Sequence, residues 1–164
     1  MTAEAPPLPS SQVRAAIYLR ISSDRTGEGE AVARQRVDCE NLVKRRGWTA
    51  TATFEDNGVS AAGKSHRPEF TALIAAIRRG EVDTVVAWAL DRLARTARDR
   101  LALVEACQDY GTVIALVQGS DMDTSNASGR LLIGLLGEVA QMEIGLKSER
   151  QKRANTQRAQ AGNW

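Results

Sequence analysis

The sequence predicts an α/β domain of three layers, with a largely parallel sheet of four to five strands flanked by helices and a long C-terminal helix after it. Three observations lead there. Short strand-like segments alternate with helix-length segments as far as Val117. The first of them, Val13–Ser22, alternates strictly, with Val13, Ala15, Ile17, Leu19 and Ile21 on one face and Arg14, Ala16, Tyr18, Arg20 and Ser22 on the other. Finally, Ala127 to Gln160 reads as one uninterrupted helix. With 164 residues, 43% of them hydrophobic and 26% charged, the chain is long and apolar enough to bury a core.

Met1–Gln12, with Pro6, Pro7 and Pro9, reads as a flexible leader, and 13–125 as the α/β unit. After the first strand, Ala31–Arg46 forms a helix with a basic last turn, stopped by Gly47. Trp48–Glu55 is the second strand and Asp56–Arg67 a loop rich in small residues. Pro68 suits a first helical position, and that helix runs to Gly80. Asp83–Ala89 is a short strand apolar on both faces. A third helix includes Leu101–Tyr110 and ends at Gly111, and Thr112–Val117 is the fourth strand. Asp121–Asn126 is a polar turn with good N-cap residues for the long helix, assigned to 126–160. Residues 161–164 read as the start of a linker.

The long helix carries two apolar stripes. Leu132, Leu135, Val139, Met142 and Leu146 form a short heptad-like row, and Ile133, Leu136, Ala140 and Ile144 form a second. One stripe can cover the sheet; the other needs another surface, most simply a second copy of the chain, which makes this a dimerisation helix. Net charge is only +2, but it is unevenly placed. Residues 101–146 hold six acidic side chains against Arg130 alone, whereas 147–164 hold five basic ones against Glu149 alone. Such a basic end suits a polyanion. Cys39 and Cys107 are too few and too far apart for a disulfide scaffold or a thiolate zinc site, and fit a reducing compartment, here cytoplasmic. No apolar run reaches membrane-spanning length, and no export signal is evident.

In a parallel sheet, ligands sit outside the carboxyl ends of the strands. Ser22 ends the first strand, Lys64 and Arg67 lie in the loop after the second, and Asp91, Arg92 and Arg95 follow the third. One edge therefore gathers a serine, a carboxylate and four arginines, Arg20 among them. A helical turn after the third strand would put Arg92 and Arg95 on one face. Guanidiniums stay charged and match phosphate oxygens, and they stabilise the extra negative charge that develops when a phosphodiester is attacked. Ser22 is then the candidate nucleophile. His66 is the only histidine and Ser22 is not in a Gly-x-Ser-x-Gly elbow, which argues against a Ser-His-Asp hydrolase. Gly27-Glu-Gly29-Glu-Ala-Val32 is a poor dinucleotide fingerprint, lacking its third glycine. Gly58–Ser65 matches Walker A spacing, with Asp91 as a Walker B carboxylate, and a P-loop NTPase is the alternative reading.

The segment Tyr18-Leu-Arg20-Ile-Ser22, the segment Leu90-Asp91-Arg92-Leu-Ala-Arg95 and the long helix with Ser148-Glu149-Arg150 together resemble the catalytic domain of the serine recombinases, the resolvase/invertase family; the long loop after the second strand and the terminal Gly162-Asn163-Trp164 resemble its large phage-integrase branch most. The resemblance implies that Ser22 attacks double-stranded DNA through a 5′-phosphoserine intermediate, with no cofactor, ATP or metal, in a homodimer that becomes a tetramer on synapsis. It implies that Arg20, Arg67, Arg92 and Arg95 hold the scissile phosphate, that Asp91 orients them or moves a proton, and that Tyr18, Gln35, Asp56 and Ser60 support the site. Lys64, Lys147, Arg150, Lys152 and Arg153 would meet the DNA backbone. It further implies a bacterial or phage-encoded protein with a DNA-binding region beyond this chain.

Overall fold

The structure is a computed structural model that describes residues 12–21, 28–57, 67–123 and 125–160. Four strands, β1 (Arg14–Ile21), β2 (Thr49–Asn57), β3 (Thr84–Ala87) and β4 (Val113–Leu116), pair in parallel in the order β2-β1-β3-β4. The helices are α1 (Glu28–Arg45), α2 (Pro68–Arg78), the single turn α3 (Leu90–Leu93), α4 (Ala97–Tyr110) and α5 (Ala127–Gln160).

The alternation in β1 sorts the core into its two sides. Ala15, Ile17 and Leu19 pack with Cys39, Leu42 and Val43 of α1. Ala16 and Tyr18 face the opposite way, into a cluster with Phe70, Leu73 and Ile77 of α2, Leu103 and Cys107 of α4, and Ile133 of α5. Every residue of β3 is buried, as a strand covered on both faces requires. The two thiols lie within these clusters, and burial pushes each up to about 12, so they act as small apolar side chains. Trp48 and Trp88 are half-buried at the margin of the α1 cluster rather than central.

Two boundaries differ from the sequence reading for a local reason, and one packing assignment changes. β2 continues through Asn57, so Asp56 belongs to the strand and not to the loop. Its carboxylate accepts the free N–H groups of Glu69 (3.1 Å) and Phe70 (2.9 Å) and so caps α2 from a distance. α4 begins at Ala97, because Thr96 and Asp99 form a reciprocal capping box; Gly111, at φ +67°, ends it in the left-handed conformation. The long helix lies on α4 and not on the sheet. Ile133 and Ala140 are fully buried there, and Gly137 leaves room for Val104. Its start is fixed by Asn126, whose side chain accepts from Gly129 N at 2.7 Å. A side chain at Gly129 would collide with the Asp123 backbone. Residues 1–11 of the proposed leader, the linker, Gly27 of the dinucleotide-like segment (its other residues open α1), and the loop with Ser60, Lys64 and His66 lie outside the described residues.

Candidate active site

Connections leave β1 and β3 in opposite directions, so the crevice outside their carboxyl ends is the natural ligand position in this topology. β1 delivers Tyr18 and Arg20 to one face of that edge, and the turn α3 follows β3 directly with Asp91 and Arg92. α3 ends at Leu93, and Ala94 is extended (φ −132°, ψ 90°). Arg95 therefore lies in the connection to α4 and does not share a helical face with Arg92, as a longer turn would have allowed.

The arginines nevertheless converge. The Arg20 guanidinium is held below its ordinary value, first by burial and then by the positive charges of Arg95, Arg67 and Arg92, with the Tyr18 phenol opposing them. Among the described residues no carboxylate pairs with Arg20 or Arg95. Arg92 Nε is buried without a hydrogen-bond partner, and the nearest carboxylate, the exposed Asp91, stands 3.7 Å away. Buried donors are normally satisfied. Among the described residues, Arg92 thus presents an unspent donor, and Arg20, Arg92 and Arg95 bring mutually repelling charge to one strand edge, which is the electrostatic form of an anion site.

Arg67 is held differently. As the residue before Pro68 it is kept out of the helical region (φ −125°, ψ 71°). Its side chain, 8% exposed, donates to Tyr18 Oη (2.6 and 3.2 Å), the Leu93 carbonyl (2.6 Å) and Asp99 (2.7 Å). It also stacks 4.4 Å from the Phe70 ring centroid. Tyr18 Oη in turn donates to Asp56 at 2.7 Å. Burial raises the Tyr18 phenol above its ordinary range, so it stays neutral and bonded. Arg67 therefore ties α2, α3, α4 and β1 together beneath the open cluster. Asp99 has one signal in the sequence, the Thr96–Asp99 capping spacing. The Leu93 carbonyl and the Phe70 ring had no sequence signal.

A cavity of about 580 Å³ extends the site from Arg95 and Arg98 to Glu143, Lys147 and Gln151 of α5. Lys147 thus joins Arg95, whereas Arg150, Lys152 and Arg153 lie exposed further along α5. Gln35 sits half-buried on α1, which covers the opposite face of β1 from Tyr18 and Arg20. Ser22, Ser60 and Lys64 lie outside the described residues.

The family model for the resolvase N-terminal domain matches residues 15–164. The chain belongs to the resolvase family. Over 97 residues this resolvase-type domain is 37% identical to the DNA-invertase of Escherichia phage P1, covering 59% of this chain and 50% of that protein. The chain spans about half the length of the curated relatives it matches. Among solved structures, it resembles a resolvase family site-specific recombinase from Streptococcus pneumoniae, with a TM-score of 0.74 and 26% identity over 91% of this chain and 99% of that one. It also resembles the N-terminal catalytic domain of TP901-1 integrase, with a TM-score of 0.63 and 32% identity over 81% and 98%. The integrase likeness expected from the sequence is thus found. The P-loop alternative fails on both counts. The relatives are invertases and resolvases, and the α2 N-terminus, which a P-loop would offer to phosphate, is occupied by the Asp56 carboxylate.

Proposed function

We propose that this chain is the DNA-cleaving part of a site-specific recombinase, with Ser22 as nucleophile. The observation that carries the reading is the convergence of Arg67, Arg92 and Arg95 on Arg20, two residues before Ser22. Ser22 lies outside the described residues, and its role as nucleophile comes from the likeness of Tyr18-Leu-Arg20-Ile-Ser22 to the family's signature. The Ser22 Oγ attacks phosphorus, the bond from phosphorus to the 3′ oxygen breaks, and the serine proton is passed on so that a 3′ hydroxyl leaves. The 5′ end remains as a phosphoserine ester. One ester replaces another, so religation needs no ATP, and the guanidiniums supply the positive charge for which other phosphoryl-transfer sites use a metal. Arg20, Arg92 and Arg95 hold the non-bridging oxygens. Arg67, Tyr18 and Asp56 hold the frame, and Asp91 orients Arg92 or moves the proton. Gln35 and Ser60 are assigned supporting roles by family likeness alone.

Lys64, Lys147, Arg150, Lys152 and Arg153 are assigned to the DNA backbone, where contacts position without reading sequence. Residues 13–125 form the catalytic unit and 126–160 the dimerisation helix. Leu131, Leu135 and Met142 are 71%, 59% and 58% exposed, and an apolar groove of about 290 Å³ lies beside them, lined by Leu90, Met122 and Val139 among others. That uncovered surface supports pairing with a second copy, and two such dimers would make the cleaving tetramer.

The test joins the chain to a sequence-specific DNA-binding module and supplies a nicked duplex with a crossover site. A denaturant-resistant protein–DNA adduct is expected, absent from Ser22→Ala. An adduct that survives Ser22→Ala would exclude this nucleophile.

A further inference from the structure

The first turn of α4 is where the arginine site meets the long helix. Asp99 faces the site: it accepts from Arg67 Nη1 and from Thr96 N. The next residue, Arg100, has two other partners. Its Nη1 donates to the Arg95 carbonyl oxygen at 3.3 Å, and its Nη2 donates to the Glu143 carboxylate of α5. The Arg100 side chain is largely buried (18% exposed), whereas its partner Glu143 is 47% exposed, so Arg100 is the fixed member of the pair and Glu143 the one open to solvent.

Docking of α5 alone would need only the bond to Glu143, and stability of α4 alone would need neither bond. The contact with the Arg95 carbonyl is the informative one. Arg95 lies in an irregular connection between α3 and α4, where no helical ladder fixes its peptide plane. One guanidinium therefore joins the backbone of a site arginine to a side chain on the long helix. The same helix bears the uncovered apolar stripe.

We propose that Arg100 is a positioning residue that sets Arg95 according to how α5 is seated, so that movement of the long helix is felt at the phosphate site. This rests on the DNA-cleavage reading above. With α5 seated, Arg100 holds the Arg95 carbonyl; when Glu143 moves away, Arg100 loses its anchor and the connection is free to shift. A displacement of an ångström in a group that holds the reacting phosphate is enough to slow chemistry by about a hundredfold.

The test uses Arg100→Met and the double exchange Arg100→Glu with Glu143→Arg, in the same module-joined chain. The exchange rebuilds an ion pair between α4 and α5, but a carboxylate at position 100 cannot donate to a carbonyl oxygen. In Arg100→Met, single-turnover adduct formation at saturating DNA should slow at least about tenfold, with half-saturation moved by less than about twofold. The double exchange should recover the melting temperature while adduct formation stays slow. Amide exchange over residues 95–97 of the DNA-free chain should be faster in both variants. Recovery of rate together with melting temperature in the double exchange would overturn the proposal, as would a rate in Arg100→Met within about twofold of the parent. Should Arg100→Met not fold, Arg100→Lys keeps the charge but reaches one acceptor and not both, and a parental rate there would overturn it equally. Absence of any adduct in the parent sinks the cleavage reading instead, whereas unchanged amide exchange at 95–97 sinks this one.

Discussion

Arg67 and Arg92 stand at one edge of one sheet, and their charges meet opposite fates. Arg67 is enclosed, with four hydrogen bonds and an aromatic ring against it. Arg92 has a buried Nε with nothing to bond and its carboxylate neighbour at arm's length. Arg20 and Arg95 likewise have no carboxylate partner among the described residues. A fold that needed these cations only for stability would have matched them with acids, as it matched Arg67 with Asp99 and Asp56. The difference separates the arginine that builds the site from those that are left for a ligand.

The largest effect that would sharpen this contrast is on stability. Arg67→Met should cost about 3–5 kcal/mol in urea unfolding, because it leaves Asp99 without its cation and strips a buried network. A loss under about 1 kcal/mol would break the distinction. Arg92→Lys should do the reverse. Its unfolding free energy should stay within about 0.5 kcal/mol of the parent, while adduct formation falls about a hundredfold, since an ammonium keeps the charge but not the planar fork. Near-parental cleavage would argue against a two-pronged phosphate contact. A smaller effect follows from the repulsion at Arg20. Sulfate at ten times its dissociation constant should stabilise the folded chain by about 1.4 kcal/mol. Chloride at equal ionic strength should do much less, and Arg92→Gln should weaken the response to sulfate.

The smallest effect concerns Tyr18. Its phenol titrates higher in the folded chain than the ordinary 10.0, chiefly through burial. Folding thus favours the neutral form. That contribution is complete below pH 10 and is lost as pH climbs from there toward the folded value. Urea midpoints at about pH 8 and about pH 11 should therefore fall more for the parent than for Tyr18→Phe. Equal falls would remove Tyr18 from the buried network.

The gathering of these side chains at one edge was legible in the residues, and the limits of that reading are physical. Period two in β1 placed Tyr18 and Arg20 on one face, and Pro68 and Gly111 marked helix ends through their own backbone preferences. The sheet-edge rule then gathered the arginines from the end of β1 and the connections after β2 and β3. Hidden from sequence was which arginine would be neutralised. That depends on Asp99 reaching Arg67 across 32 positions, and on Asp56 reaching the start of α2, and such long-range pairings have no local period. The stop of α3 at Leu93 was hidden too, since Leu90–Arg95 could continue as a helix on propensity alone. The two stripes of α5 were legible as stripes, but not that α4, rather than the sheet, receives one of them.

The central claim is a covalent one: the hydroxyl at position 22 takes the 5′ phosphate while neighbouring guanidiniums hold it. The most direct measurement is mass spectrometry of the protease- and nuclease-trimmed adduct. The account predicts a nucleotide attached by its 5′ phosphate to the peptide containing Ser22, on that side chain. Attachment to any other residue, or through a 3′ phosphate, would contradict it.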